Sequence, residues 1–186
     1  MLISIKMNRD LERVVEIPEG VEVVVSDNKV TVKGNGKELV REFDNGKVSM
    51  SVADGKFILK AKGATRRESK MTGTIWAHLK NMIKGLTEDF VYTLEVCNVH
   101  FHMNVKAEGD KIIIKSFLGE TTVRESRIMP NSTVDIKGNI ITVSSYDIEA
   151  AGQTAANLEK ATRLTGRDRR IFQDGIFITE KPGRKI

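Results

Sequence analysis

Over most of the chain, apolar residues alternate with polar ones in short runs. Val23 and Val25, then Val30 and Val32, each stand between polar neighbours. A period of two puts the apolar side chains on one face of an extended segment, so these runs predict half-buried strands. Turn-forming residues punctuate them: Asp27-Asn28, Gly34-Asn35-Gly36, Asn45-Gly46 and Asp54-Gly55. Such residues supply the positive φ angles that tight hairpins need. From residue 64 to residue 84 the period changes. Met71, Ile75, Leu79, Met82 and Leu86 recur at three and four residues, which predicts a helix with one apolar stripe. Gly85, lacking Cβ, is the expected left-handed cap that ends it.

The scheme then repeats. Strands are predicted near residues 91–96, 99–105, 111–116, 121–127, 133–137 and 140–145, followed by a helix over 147–164. Three segments match between the halves in the same order. "GTIWAHLKNMIKGL" (73–86) lies over "GQTAANLEKATRL" (152–164), with Gly73, Ala77 and Leu79 falling on Gly152, Ala156 and Leu158. "KVTVKGNGKELVRE" (29–42) lies over "KIIIKSFLGETTVRE" (111–125) with one insertion, and "MSVADGKFIL" (50–59) matches "VDIKGNIITV" (134–143) in apolar spacing. An ancient duplication explains all three together. The predicted fold is α+β: two tandem domains, each a small, mainly antiparallel sheet packed against one helix. The expected domains are 1–86, 87–178 and a basic tail over 179–186, with the boundary between repeats falling near residues 85–89.

Charge is distributed unevenly. From Lys160 onward there are eight basic and three acidic residues, a net +5 that equals the formal charge of the whole chain. Residues 1–159 balance at 22 basic and 22 acidic. An end-loaded positive charge points to an anionic partner. The single Cys97 excludes an intramolecular disulfide framework and fits a reducing compartment. The opening "MLISIKMNRDLERVVEIPEG" interrupts its apolar residues with charge and reads as neither signal peptide nor membrane span. A soluble, cytoplasmic protein is expected.

Candidate chemistry is sparse. There is no G-x-S-x-G elbow, and "GNGKE" (34–38) reads as a hairpin turn because it lacks the length and the Ser/Thr of a phosphate loop. In "CNVHFH" (97–102), an extended strand would project His100 and His102 from one face and Cys97 from the other. Two histidines fall short of the three or four converging ligands that a metal needs, so they read as the polar face of a strand. An enzyme acting on a small anionic substrate would have this cluster alone behind it. His78 and Trp76 read as packing residues of the first helix. The pairs Glu88-Asp89 and Asp147/Glu149 read as linker and helix-start acids. No catalytic residue, metal, cofactor or small-molecule substrate is predicted.

The basic end is the remaining candidate: Lys160, Arg163, Arg167, Arg169, Arg170, Lys181, Arg184 and Lys185. If the second helix persists, Arg163, Arg167 and Arg170 share one face; if it stops at Gly166, they form a basic loop. In "IFQDGIFI" (171–178), Phe172, Ile176 and Ile178 are expected to pin the segment onto the second sheet. Asp174-Gly175 is expected to turn at its middle, and the tip "EKPGRKI" to project beyond. Membrane attachment would need an amphipathic face or lipidation, but the apolar residues here are committed to the sheet. Arginine's planar fork of donors suits phosphate, which favours nucleic acid over an acidic protein partner. The acidic partner, docked by a tandem-repeat interaction module, is the alternative.

These same residues resemble the closing signature of large-subunit ribosomal protein six in its archaeal and eukaryotic form: Arg167, Arg170, Phe172, Asp174, Gly175, Ile176, Phe177 and Lys181. "HLKNMIKGLT" (78–87) and "VHFHMNV" (99–105) are similar to the middle of that family, and the resemblance spans essentially the full length. Two positions depart from its pattern: Lys160 stands where Gln is favoured, and Phe177 where Tyr is frequent. Neither removes positive charge. The resemblance implies a non-enzymatic structural constituent of the large ribosomal subunit, cytoplasmic with the ribosome, whose partners are large-subunit rRNA and neighbouring ribosomal proteins. It also implies that the C-terminal half lies near the sarcin–ricin loop, the stalk base and the factor-binding region. Arg167, Arg170 and Lys181 are the phosphate contacts that it implies; the other basic residues are added on charge.

Overall fold

The computed structural model describes residues 9–44, 46–53 and 55–186. The predicted turn positions Asn45 and Asp54 lie outside the described residues. Contacts divide the chain into two compact units, one ending at Glu88 and the other starting at Asp89.

The first unit runs β1 (Arg9–Glu16), β2 (Val21–Ser26), β3 (Lys29–Gly34), β4 (Lys37–Glu42), β5 (Val48–Ala53), β6 (Lys56–Ala64) and α1 (Arg66–Thr87). Its strands divide between two antiparallel sheets, in the orders β1-β6-β5 and β2-β3-β4. The predicted alternation is realised. Val30 and Val32 of β3 and Phe57 and Leu59 of β6 are fully buried, while their neighbours reach solvent. The positive φ values of Asp27 and Asn35 make the two hairpin turns of the second sheet.

Helix α1 covers this core with Ile75, Leu79, Met82 and Leu86, all buried, and Met71 half-buried beside them. Each fully buried aliphatic side chain contributes about 2 kcal/mol relative to exposure. The helix starts at a capping box, in which the Thr65 side chain accepts from the first turn and the Glu68 carboxylate accepts the Thr65 N–H at 2.9 Å. It does not end at Gly85. That residue stays helical and buried against the core, and the helix runs on to Thr87, where Glu88 N–H donates to the Lys84 carbonyl at 2.8 Å. Burial of Leu86 rewards the extra turn, so packing overrides the local cap signal.

The second unit runs β7 (Phe90–Cys97), β8 (Asn104–Glu108), β9 (Lys111–Lys115), a 3-10 turn (Phe117–Gly119), β10 (Arg124–Arg127), β11 (Ser132–Lys137), β12 (Ile140–Ser145), α2 (Ile148–Ala161), β13 (Gly175–Lys181) and β14 (Arg184–Lys185). Its sheets have the orders β10-β9-β8 and β11-β12-β7-β13-β14. Pairing β1 with β7, β2 with β8 and so on makes the sheet orders of the two units identical except for β13 and β14. The α+β class and the duplication therefore hold in topology as well as in sequence. What the second repeat adds is a hairpin on the outer edge of β7. The core of this unit includes Leu94, Ile112, Ile114, Ile141, Val143 and Leu158. Among the described residues, no helix is long and apolar enough to cross a membrane.

Four local expectations are corrected. Residues 99–103 are a loop, and strand pairing resumes only at Asn104. Pairing in the fourth predicted strand starts at Arg124, because a 3-10 turn occupies Phe117–Gly119. Helix α2 stops at Ala161, so the arginines after it belong to a loop. Finally, the tail over 179–186 does not project. It folds back through the Gly183 turn, pairing Glu180 with Lys185 and Lys181 with Arg184, and Ile186 N–H donates to the Thr179 carbonyl at 3.0 Å.

Candidate nucleic-acid interface

The basic end is organised by two neighbouring residues of β13. Ile176 is fully buried and pairs with Val96 in the ladder with β7, whereas Phe177 faces outward at 42% exposed. Ile178 and Phe172 add packing from either side, as expected. The Ile176 N–H donates to the Thr162 hydroxyl at 2.9 Å. Thr162 is the buried C-cap of α2, so the end of the helix is tied directly to the start of β13. Arg124 Nη1 donates to the Ala161 carbonyl at 2.9 Å, satisfying one of the helix's orphan acceptors. The arginine also lies over the Phe117 ring at 4.2 Å and pairs with Glu120.

Asp174 is not in a turn. Its side chain is 1% exposed and holds the 98–103 loop from within. One carboxylate oxygen accepts the N–H groups of Val99 and His100, each at 2.8 Å, and the other lies 2.6 Å from His100 Nδ1. The Phe101 N–H adds to this set. Burial pushes the Asp174 carboxyl up, but the His100, Val99 and Phe101 hydrogen bonds together outweigh it and hold the group below its usual range. These bonds curl residues 98–103 around the carboxylate, which is why no strand forms there. His100 is therefore a structural partner of Asp174, and its ring packs at 4.9 Å from Phe172. His102 is exposed. Cys97 is half-buried, and burial, with Glu95 and Asp174 nearby, pushes its thiol up. Among the described residues, no group of three metal-ligating side chains exists. His78 packs on Phe43 at 6.0 Å between ring centroids, and Trp76 is half-buried with its Nε1 donating to the Val14 carbonyl at 3.3 Å.

All eight basic residues singled out above are exposed. Lys160 sits on the last turn of α2, Arg163, Arg167, Arg169 and Arg170 on the following loop, Lys181 at the end of β13, and Arg184 and Lys185 on β14. The loop is internally braced. Asp168 pairs with Arg170 at 2.8 Å, which holds the carboxylate below its usual range, and Phe172 N–H donates to the Asp168 carbonyl at 2.9 Å. Arg167 lies 4.8 Å over the Phe172 ring. Lys160, Arg163 and Arg169 converge on one groove; Lys181 and Arg184 face each other in the β13–β14 ladder. Like charges directly opposite in a ladder are destabilising unless an anion lies between them.

Asp174, Thr162 and Arg124 went unrecognised in sequence as organisers of this region. The first signals itself only as part of a signature, and the other two act across the fold.

A family model described as ribosomal protein L6 matches this chain twice, over residues 17–89 and again over 101–175. The chain belongs to the ribosomal protein L6 family. The two matches to the L6 model fall one on each structural unit, as a duplicated fold requires. The large ribosomal subunit protein uL6 of Methanobrevibacter smithii is 40% identical over 167 residues, covering 90% of this chain and 94% of that protein, which accords with the archaeal type. L6 membership makes this a structural, non-enzymatic ribosomal protein, and the enzyme reading of the Cys97–His102 cluster falls away.

Proposed function

We propose that this protein is a structural constituent of the large ribosomal subunit that grips large-subunit rRNA through the basic end of its second unit. The contacts assigned are Lys160, Arg163, Arg167, Arg169, Arg170, Lys181, Arg184 and Lys185. The observation that carries the reading is the placement of Lys181 opposite Arg184 on a hairpin built onto the edge of β7. A fold that, among the described residues, adds a strand pair to one repeat only, and sets like charges facing on it, is arranged for an anionic partner. Polyphosphate fits best because the cations extend over a loop and a hairpin and include five arginines. A-form RNA hides its base edges in a deep groove, so most of this grip acts on phosphate and shape.

The finer placement is part of the same proposal: residues 87–178 as the RNA-binding domain with 179–186 as its basic extension, near the sarcin–ricin loop, the stalk base and the factor-binding region. The other partners are neighbouring ribosomal proteins, and the site of action is the cytoplasmic ribosome. The test is sedimentation of a cell lysate. The protein is expected to travel with large subunits and to be released by RNase. Retention in a heavy complex after RNase would favour the acidic-partner alternative, and migration as a free protein would contradict both readings.

A further inference from the structure

We propose that the groove between the end of α2, the 162–173 loop and β13 receives one unpaired RNA base, lying on the ring of Phe177. The inference rests on the RNA-binding function proposed above and names a ligand for part of that surface.

The groove encloses about 770 Å3, within the range of about 300–1,000 Å3 typical of small-ligand sites. Its cations are Lys160, Arg163 and Arg169, and its apolar lining includes Val99, Phe172 and Phe177. The two aromatic rings differ in what they already touch. Phe172 is engaged by His100 at 4.9 Å and by the Arg167 guanidinium at 4.8 Å. Phe177 lies on the backbone of Gly175, so close that a Cβ there would come within 3.0 Å of its Cζ and 3.1 Å of its Cε2. The glycine lets the ring lie down, and the ring remains 42% exposed on a groove of positive charge. A flat apolar face beside guanidinium groups is the arrangement on which single-stranded bases stack.

Glu159 and Gln173 decide between a base and a bare phosphate. Both line the groove. A carboxylate repels phosphate but accepts hydrogen bonds from the exocyclic amines of bases, and an amide both donates and accepts. The cations would then hold the flanking phosphates while the floor and walls take the base. Bases in paired A-form RNA are not available for this, so the nucleotide belongs to a loop or bulge.

The test compares the full-length protein with Phe177→Leu and Phe177→Tyr in binding purified large-subunit rRNA across a salt series. Loss of stacking is expected to weaken Phe177→Leu about 10- to 100-fold, with the salt slope unchanged because no phosphate contact is removed. Phe177→Tyr, which keeps the ring, is expected to bind like the wild type. Wild-type affinity in Phe177→Leu, or a loss accompanied by a shallower slope, overturns the base site while leaving the RNA-binding function standing. Failure of the wild type itself to bind rRNA overturns both. Ultraviolet cross-linking of the unaltered protein to the same rRNA gives a readout independent of variant folding. Base adducts on Cys97 or within 172–177 are expected; adducts confined to the 163–170 loop and the β13–β14 hairpin overturn the site.

Discussion

The Asp174 carboxylate lies 2.6 Å from Nδ1 of His100, 74 residues earlier in the chain. Through this pair and the N–H groups of Val99 and His100, one buried side chain joins the 98–103 loop to the start of β13. The basic loop and the groove adjoin that junction, and β13 runs from it to the hairpin at its far end, so the site is anchored by a residue that is itself acidic.

Removing the Asp174 carboxylate leaves several donors without their acceptor. Asp174→Ala is expected to destabilise the second unit by about 3–5 kcal/mol, the range for stripping one partner from a buried pair. His100→Ala, which spares the backbone bonds, is expected to cost about 1–2 kcal/mol. Denaturant unfolding measures both, and hydrogen exchange at Val99 and His100 should speed up in the first variant far more than in the second.

Acid should release the same junction. The Asp174 carboxyl is held below its usual value near 3.8 in the folded chain, so it contributes stability above that pH. The contribution is lost as pH falls through the lower, folded value. Unfolding free energy measured from pH 6 down to pH 2 should fall below about pH 4, and Asp174→Asn should remove that component of the decline.

Adjacent residues of β13 should behave oppositely. Ile176→Ala opens a cavity in a fully buried site and is expected to cost about 2–5 kcal/mol of stability. Phe177→Leu, at an exposed position, should cost less than about 1 kcal/mol. Thermal or urea unfolding of the two variants checks the contrast.

Much of this fold is legible in sequence because its signals are local. Val30 and Val32 announce a strand by alternation, and Ile75, Leu79 and Met82 announce a helix by spacing. The candidate site is legible only as charge. The residues that shape it act at long range: Asp174 on Val99, Thr162 on Ile176, and Arg124 on Ala161. No periodicity encodes such pairings. The same blindness explains the 98–103 loop, whose apolar alternation suggests a strand until the buried carboxylate that curls it is known. It also explains Gly85, where a cap signal yields to the burial of Leu86.

Arg124 provides a test of one such pairing. Its hydrogen bond to the Ala161 carbonyl and its stacking on Phe117 fasten the end of α2 from which the basic loop departs. Arg124→Met keeps the apolar stem and removes the donors. It is expected to cost about 1–2 kcal/mol in urea unfolding, with faster amide exchange in the last turn of α2.

The central claim is that the cations after α2 grip the phosphates of large-subunit rRNA, and the salt dependence of binding tests it most directly. If about five of the eight assigned cations each neutralise a phosphate, log K for the unaltered protein should fall by about 3.5–4.5 per decade of salt. Replacing Arg167, Arg169, Arg170, Lys181, Arg184 and Lys185 together by Gln should remove most of both the affinity and the slope. A variant that binds as tightly as the wild type, with the same slope, would contradict the account.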